Sequence, residues 1–132
     1  ISHSQVHFED QVSAGRHKVL ALSWPRQRLH QRIEARVDQM FVEGLEDEVR
    51  GLLDRYGQLS RTASQAVGYS ELIAFLQEQV PLDETVEYVK RRTRQFARRQ
   101  ETWFRSLEEC RQVEQSDEVE AAVMARQLLE ME

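Results

Sequence analysis

Apolar positions recur at helical spacing over most of this chain. Leu29, Ile33, Val37, Met40 and Phe41 fall on one face, predicting a helix that Pro25 opens and Gly44 stops. A second helix follows at once, with Val49, Leu52 and Leu53 as its buried edge and Gly57 at its end. Its first turn carries Glu46, Asp47 and Glu48, where the positive end of the helix dipole favours acids. Gln58 to Ala63 reads as a polar connector. Leu72, Ile73, Phe75 and Leu76 then predict a short helix broken by Pro81. Asp83 and Glu84 open a long helix running through Val86 and Val89 to about Leu107, with Thr93, Phe96, Gln100, Trp103, Phe104 and Leu107 at helical spacing. The acidic tail from Asp117 to Glu132 is amphipathic, with Val119, Ala122, Val123 and Leu128 expected to face inward.

Strand signals are scarce. Only Val19-Leu20-Ala21-Leu22, ended by Ser23-Trp24-Pro25, reads as one, near residues 18–23. A solitary strand leaves backbone donors and acceptors unpaired. Residues 108–116 read as a loop or strand remnant, so the expected partner strands lie upstream. Ile1-Ser2-His3-Ser4-Gln5 has no initiator Met, and residues 1–16 read as polar and irregular. The expectation is a mainly α chain, the C-terminal portion of something longer.

Charge changes this picture. The formal net charge is −5 over 132 residues. Yet Lys90, Arg91, Arg92, Arg94, Arg98, Arg99 and Arg105 fall within sixteen residues that contain a single acid, Glu101. On a helix this makes one buried edge and one cationic edge, for which a polyanion, nucleic acid first, is the natural partner. A 40% hydrophobic content supports at most one ordinary domain with a modest core. No apolar run approaches the roughly 20 residues of a membrane span. The one cysteine, Cys110, excludes an internal disulfide and is compatible with a reducing cytoplasm. His3 and His7 are four apart, but with no paired cysteines and no HExxH pattern they make a poor case for zinc.

Candidate chemistry rests on arginines. Arg28, Arg32 and Arg36 are spaced four apart, forming one helical stripe. Such a row can grip a diphosphate through bidentate guanidinium contacts. It can equally be a solvated face neutralised by Glu34 and Asp38, and spacing alone favours that second reading. Gly68-Tyr69 fits either a tight turn with Tyr packed over it or a close approach to a stacked base. Trp103 and Phe104 fit a core as well as an RNA-contacting surface. No Gly-rich phosphate loop, catalytic Ser/His/Asp or Cys/His arrangement, or catalytic carboxylate pair is present in the sequence.

Taken in order, four blocks resemble the C-terminal part of the tRNA dimethylallyltransferases, also called tRNA isopentenyltransferases. They are Pro25-Arg26 with Leu29-His30-Gln31-Arg32-Ile33-Glu34-Ala35-Arg36-Val37-Asp38-Gln39-Met40; Gly44-Leu45-Glu46-Asp47-Glu48-Val49; Val67-Gly68-Tyr69-Ser70-Glu71; and Thr93-Arg94-Gln95-Phe96-Ala97-Arg98-Arg99-Gln100-Glu101-Thr102-Trp103-Phe104-Arg105. Ile1-Ser2 is similar to the Ile-Ser that precedes the family's last core strand. Arg98 stands where Lys is common, and Ser70 where Lys or Arg is common.

The resemblance covers residues 1 to about 108, leaving 109–132 as an acidic helical tail. It implies the helical C-terminal portion of a P-loop, kinase-like α/β fold. It also implies transfer of a dimethylallyl group from dimethylallyl diphosphate to N6 of the adenine beside the anticodon, with Mg²⁺ on the diphosphate. The P-loop and general-base Asp would lie upstream, so the chain alone is expected to be inactive. Arg36 is the expected diphosphate-stabilising residue, with Arg32 secondary. Gln65, Gly68, Tyr69, Arg98, Arg99, Gln100, Thr102, Trp103 and Arg105 are the expected contacts to the tRNA anticodon stem-loop. No metal ligand is assigned within the chain, and a cytoplasmic monomer is expected. The alternative is a non-catalytic helical RNA-binding module. A helical interaction domain with merely solvating charges is the third reading.

Overall fold

A computed structural model describes residues 19–115 and 121–130. The expectations for residues 1–16, Ile1-Ser2, His3, His7 and Val119 fall outside those residues. The chain divides into two compact units, Trp24–Glu101 and a second drawn from Ile1–Ser23 and Thr102–Glu132.

The larger unit is helical. Helix α1 (Arg26–Val42) starts after Pro25, whose carbonyl accepts the Leu29 N–H. Gly44 then takes φ +101°, a backbone that side chains rarely tolerate, and turns the chain into α2 (Leu45–Tyr56). Gln58–Ala63 is less irregular than its polarity suggests. Ser60 caps a single helical turn, α3 (Arg61–Ser64), by accepting the Ala63 N–H at 3.3 Å. Helix α4 (Tyr69–Glu78) ends at Gln79, which has left-handed φ/ψ, and α5 runs Leu82–Ser106.

Two small cores hold these helices. Ile33, Val37 and Val89 join α1 to α5, with Leu29, Phe41, Val86 and Ala97 packed around them. Leu45, Val49 and Leu72 join α2 to α4, with Met40, Phe41, Leu53 and Tyr69 among the neighbours. Phe41 belongs to both shells and so links the two. Thr85 is buried on α5, its hydroxyl donating back to the Pro81 carbonyl at 3.1 Å.

The second unit corrects the expectation of an unpartnered strand. β1 (Val19–Ser23) pairs in parallel with β2 (Cys110–Glu114), Val19 opposite Cys110 and Ser23 opposite Glu114. Val19 N–H donates to the Glu109 carbonyl at 3.1 Å, and Gln115 N–H to the Ser23 carbonyl at 2.7 Å. Helix α6 (Ala121–Glu130) has no buried residue; Met124 and Leu128 are its least exposed positions, while Ala122 and Val123 face solvent rather than inward. Among the described residues no helix is long and apolar enough to cross a membrane.

Candidate nucleic-acid interface

The acids of α1 decide how its arginines are to be read. Glu34 and Asp38 do not neutralise Arg28, Arg32 or Arg36. Glu34 pairs with Arg94 at 3.1 Å and Asp38 with Lys90 at 2.8 Å, both across to α5. The two pairs step in opposite directions along the helices, so α1 and α5 run antiparallel. Lys90 is only 12% exposed, and its hydrogen bond to Asp38 holds its pKa above the ordinary lysine value. The carboxylates therefore serve the inner edge of α5.

This arrangement leaves the three arginines in different states. Arg32 stacks over the Trp24 ring, 4.4 Å from guanidinium carbon to ring centre. Arg28 and Arg36 are exposed and have no ion pair or hydrogen bond among the described residues. Of the two residues expected at the diphosphate, Arg36 is exposed and unpartnered among the described residues, whereas Arg32 stacks on a ring.

The Gly68–Tyr69 turn is built by two features. Gly68 is buried at φ +96°, and α4 begins immediately after it. The Glu71 carboxylate accepts the Gly68 N–H at 2.7 Å, which is half of a capping box, glycine having no side chain to supply the other half. Tyr69 is half-buried against the α2–α4 core, and its hydroxyl donates to the Glu48 carboxylate. That hydrogen bond, with smaller effects of burial and of the Glu48 charge, raises the tyrosine pKa above its ordinary value. Tyr69 therefore packs as a core residue while remaining partly accessible. Gln65 is exposed at the end of α3.

Arg98, Arg99 and Gln100 are exposed on α5, and Thr102, Trp103 and Arg105 continue the same helix, also exposed. Arg99 has no ionic or hydrogen-bonding partner among the described residues, whereas Arg98, Thr102 and Arg105 are not free of partners. Trp103 is 59% exposed and meets Phe104 edge-on at 5.0 Å. Phe96, one helical step from Arg99, is also substantially exposed, so this face mixes rings with cations.

Two further residues matter here that sequence reasoning did not single out. Arg92 on α5 lies 2.9 Å from Glu71 and 3.4 Å from the Ser70 hydroxyl, which accepts from it. These contacts bring the Gly68–Tyr69 turn to α5. No hydrogen bond or ion pair brings Arg36 to either among the described residues. In the sequence Glu71 was marked only as the last residue of the Val67-Gly68-Tyr69-Ser70-Glu71 block, with no role attached. Arg92 was one cation among seven.

Arg28 and Arg36 on α1 and Arg99 on α5 are exposed guanidinium groups with no partner among the described residues, an arrangement chemically able to take an anion. The IPP transferase family model matches residues 1–107. A tRNA dimethylallyltransferase of Rhodopirellula baltica is 49% identical over 111 residues, covering 84% of this chain and 33% of the relative. One of Desulforamulus reducens is 45% identical over 105 residues, 78% of this chain and 37% of the relative. The crystal structure of the full-length tRNA isopentenylpyrophosphate transferase from Bacillus halodurans superposes with a TM-score of 0.77 at 34% identity, over 86% of this chain and 37% of that one. The chain belongs to the IPP transferase family. It spans about a third of the length of these relatives.

Proposed function

We propose that this chain forms the C-terminal part of a tRNA-modifying prenyltransferase. The complete enzyme would move a dimethylallyl group from dimethylallyl diphosphate to N6 of the adenine beside the anticodon. In that reaction the N6 lone pair forms a bond to the first carbon of the allyl group. The bond from that carbon to the diphosphate oxygen breaks, its electron pair leaves with the diphosphate, and the N6 proton passes to a base outside this chain. Charge accumulates on the departing oxygen, and a fixed guanidinium beside it lowers the barrier.

Arg36 is our assignment for that group. The observation that carries the reading is that Arg36 has no ionic partner among the described residues although Glu34 and Asp38 lie two residues to either side, both turned to α5. Arg32, stacked on Trp24, would fix the local helix face instead of taking the leaving group. No group of three His, Cys, Asp or Glu side chains is gathered for a metal among the described residues. By the family resemblance Mg²⁺ would be held mainly by residues outside this chain, where it would neutralise diphosphate charge.

The second substrate meets a different surface. Arg98, Arg99 and Arg105 would hold phosphates of the anticodon stem-loop, while Gln65, Gln100, Thr102, Tyr69 and Trp103 would meet splayed bases. Gly68 would allow close approach of the backbone. Residues 1–108 would carry these roles, in keeping with a family match that ends at residue 107; within 109–132 the strand Cys110–Glu114 pairs with β1, so an acidic tail would be confined to the residues beyond it. The upstream P-loop core, a cytoplasmic location and a monomeric state belong to the same proposal.

Binding of an anticodon stem-loop RNA to this chain tests the reading. Affinity is expected to fall linearly in log–log form as salt rises, because phosphate contacts release counterions. Negligible or salt-insensitive binding would refute the RNA assignment.

A further inference from the structure

A carboxylate with 1% of its side chain exposed is an expensive thing to keep on a small helical unit, and Glu71 is such a group. Removing a charge from water costs several kcal/mol unless partners compensate it. Glu71 has two. One oxygen takes the Gly68 N–H at 2.7 Å, and the other lies 2.9 Å from an Arg92 nitrogen. The second contact is close but poorly directed, so it is ionic rather than a well-formed hydrogen bond.

The same guanidinium donates to the Ser70 hydroxyl, so Arg92 grips both residues that follow Tyr69. On α5, Phe96 and Arg99 lie one and two turns beyond Arg92 along the same stripe. Arg99 is exposed and unpaired among the described residues. The one buried carboxylate on α4 thus ties the turn at Gly68–Tyr69 to the helix stripe that ends in a free cation. A helix start needs no buried charge for capping alone, since exposed Ser60 caps α3 without one.

We propose that Glu71 is a positioning residue for RNA: through Gly68 and Arg92 it fixes the Gly68–Tyr69 turn against α5, so that the turn and Arg99 meet one RNA loop in a preset register. The assignment rests on the RNA reading above. Glu71 itself touches no RNA. Its contribution is preorganisation, which reduces the ordering cost of binding.

The test compares the full chain unsubstituted, as Glu71→Gln and as Arg99→Gln, at a temperature where circular dichroism shows each fully folded. The probe is a fluorescently labelled anticodon stem-loop hairpin, titrated over a range of salt. Gln at 71 keeps an oxygen for the Gly68 N–H but removes the charge that holds Arg92. Glu71→Gln is expected to bind about tenfold more weakly with an unchanged salt slope, since no phosphate contact is deleted. Arg99→Gln is expected to lose affinity and about one unit of slope. A purely structural role would lower the melting temperature while leaving the folded chain's affinity alone.

Glu71→Gln binding as tightly as the unsubstituted chain overturns the positioning role and leaves the RNA reading standing. Failure of the unsubstituted chain to bind the hairpin at low salt overturns both. Should Glu71→Gln not fold, Arg92→Lys takes its place, keeping a positive charge near Glu71 but replacing the guanidinium nitrogen that meets both Glu71 and the Ser70 hydroxyl. About threefold weaker binding at constant slope then supports the proposal, and unchanged binding refutes it.

Discussion

Replacing Arg36 with Ala separates a leaving-group role from every structural one. Arg36 is exposed and unpaired among the described residues, and Ala is the best helix former, so the substitution removes no packing or ion pair within α1. Surface changes of this kind fall within about 0.5 kcal/mol. An unfolding entropy of about 2.1 cal/mol/K per residue, applied to 132 residues, converts that into about 2 °C in Tm. Loss of one charge-stabilising group in a transition state costs about 2.7–4 kcal/mol, or 100- to 1000-fold in turnover.

Two assays divide these effects. Thermal melting of this chain gives the structural part, and single-turnover prenyl transfer by the complete transferase, with tRNA affinity measured alongside, gives the chemical part. Arg32→Ala is the contrast. It removes the cation from the Trp24 ring, a loss of about 0.5–1 kcal/mol in stability, and is expected to spare most of the turnover. Equal losses of turnover and tRNA affinity in Arg36→Ala would refute the leaving-group assignment. A melting shift beyond about 5 °C would refute the claim that the residue is structurally idle.

Three other outcomes are expected. Trp103→Ala should weaken stem-loop binding by about tenfold or more, as loss of a base-stacking ring does; an unchanged Kd on titration of the labelled hairpin would refute this. Leu72→Ala empties a fully buried position between α2 and α4 and should cost about 3 kcal/mol, measured as a shift in the urea midpoint; a loss below about 1 kcal/mol would mean that this core collapses freely. Stability should decline above about pH 10, because Lys90 and Tyr69 both have pKa values raised by folding. Each such group contributes fully below its unfolded pKa and loses that contribution as pH climbs through its folded one. Tyr69→Phe combined with Lys90→Met should flatten the urea midpoint between pH 9 and 11.5, and an unaltered slope would contradict the linkage.

Helices α1, α2 and α4 were legible because each carries an apolar stripe of matching period and a nearby residue that stops it. Gly44, Gly57 and Pro25 act where their backbone restrictions place them. β2 was only half legible, as a loop or strand remnant, since Cys110-Arg111-Gln112-Val113-Glu114 offers only Val113 as a clearly apolar strand residue; its pairing is set by a segment about ninety residues away. The α3 turn escaped because four residues are too few to show a period. The arginines of α1 show the limit most clearly. Acids two residues to either side suggested neutralisation along the helix, but packing turned those acids to α5, and only a three-dimensional arrangement could reveal which charges were left over. Glu71 was hidden for the same reason, its burial being a property of α5's approach rather than of α4's sequence.

That cross-helix division of labour has a practical corollary. Counter-ions reach exposed guanidinium groups easily but compete less well at a contact such as Lys90–Asp38, where the lysine side chain is largely covered although the aspartate is open to solvent. Raising ionic strength should thus strip adhering polynucleotide from the chain well before the helices loosen. A concentrated-salt wash during isolation would yield clean, intact protein, even though its overall acidity gives no warning that such a wash is needed.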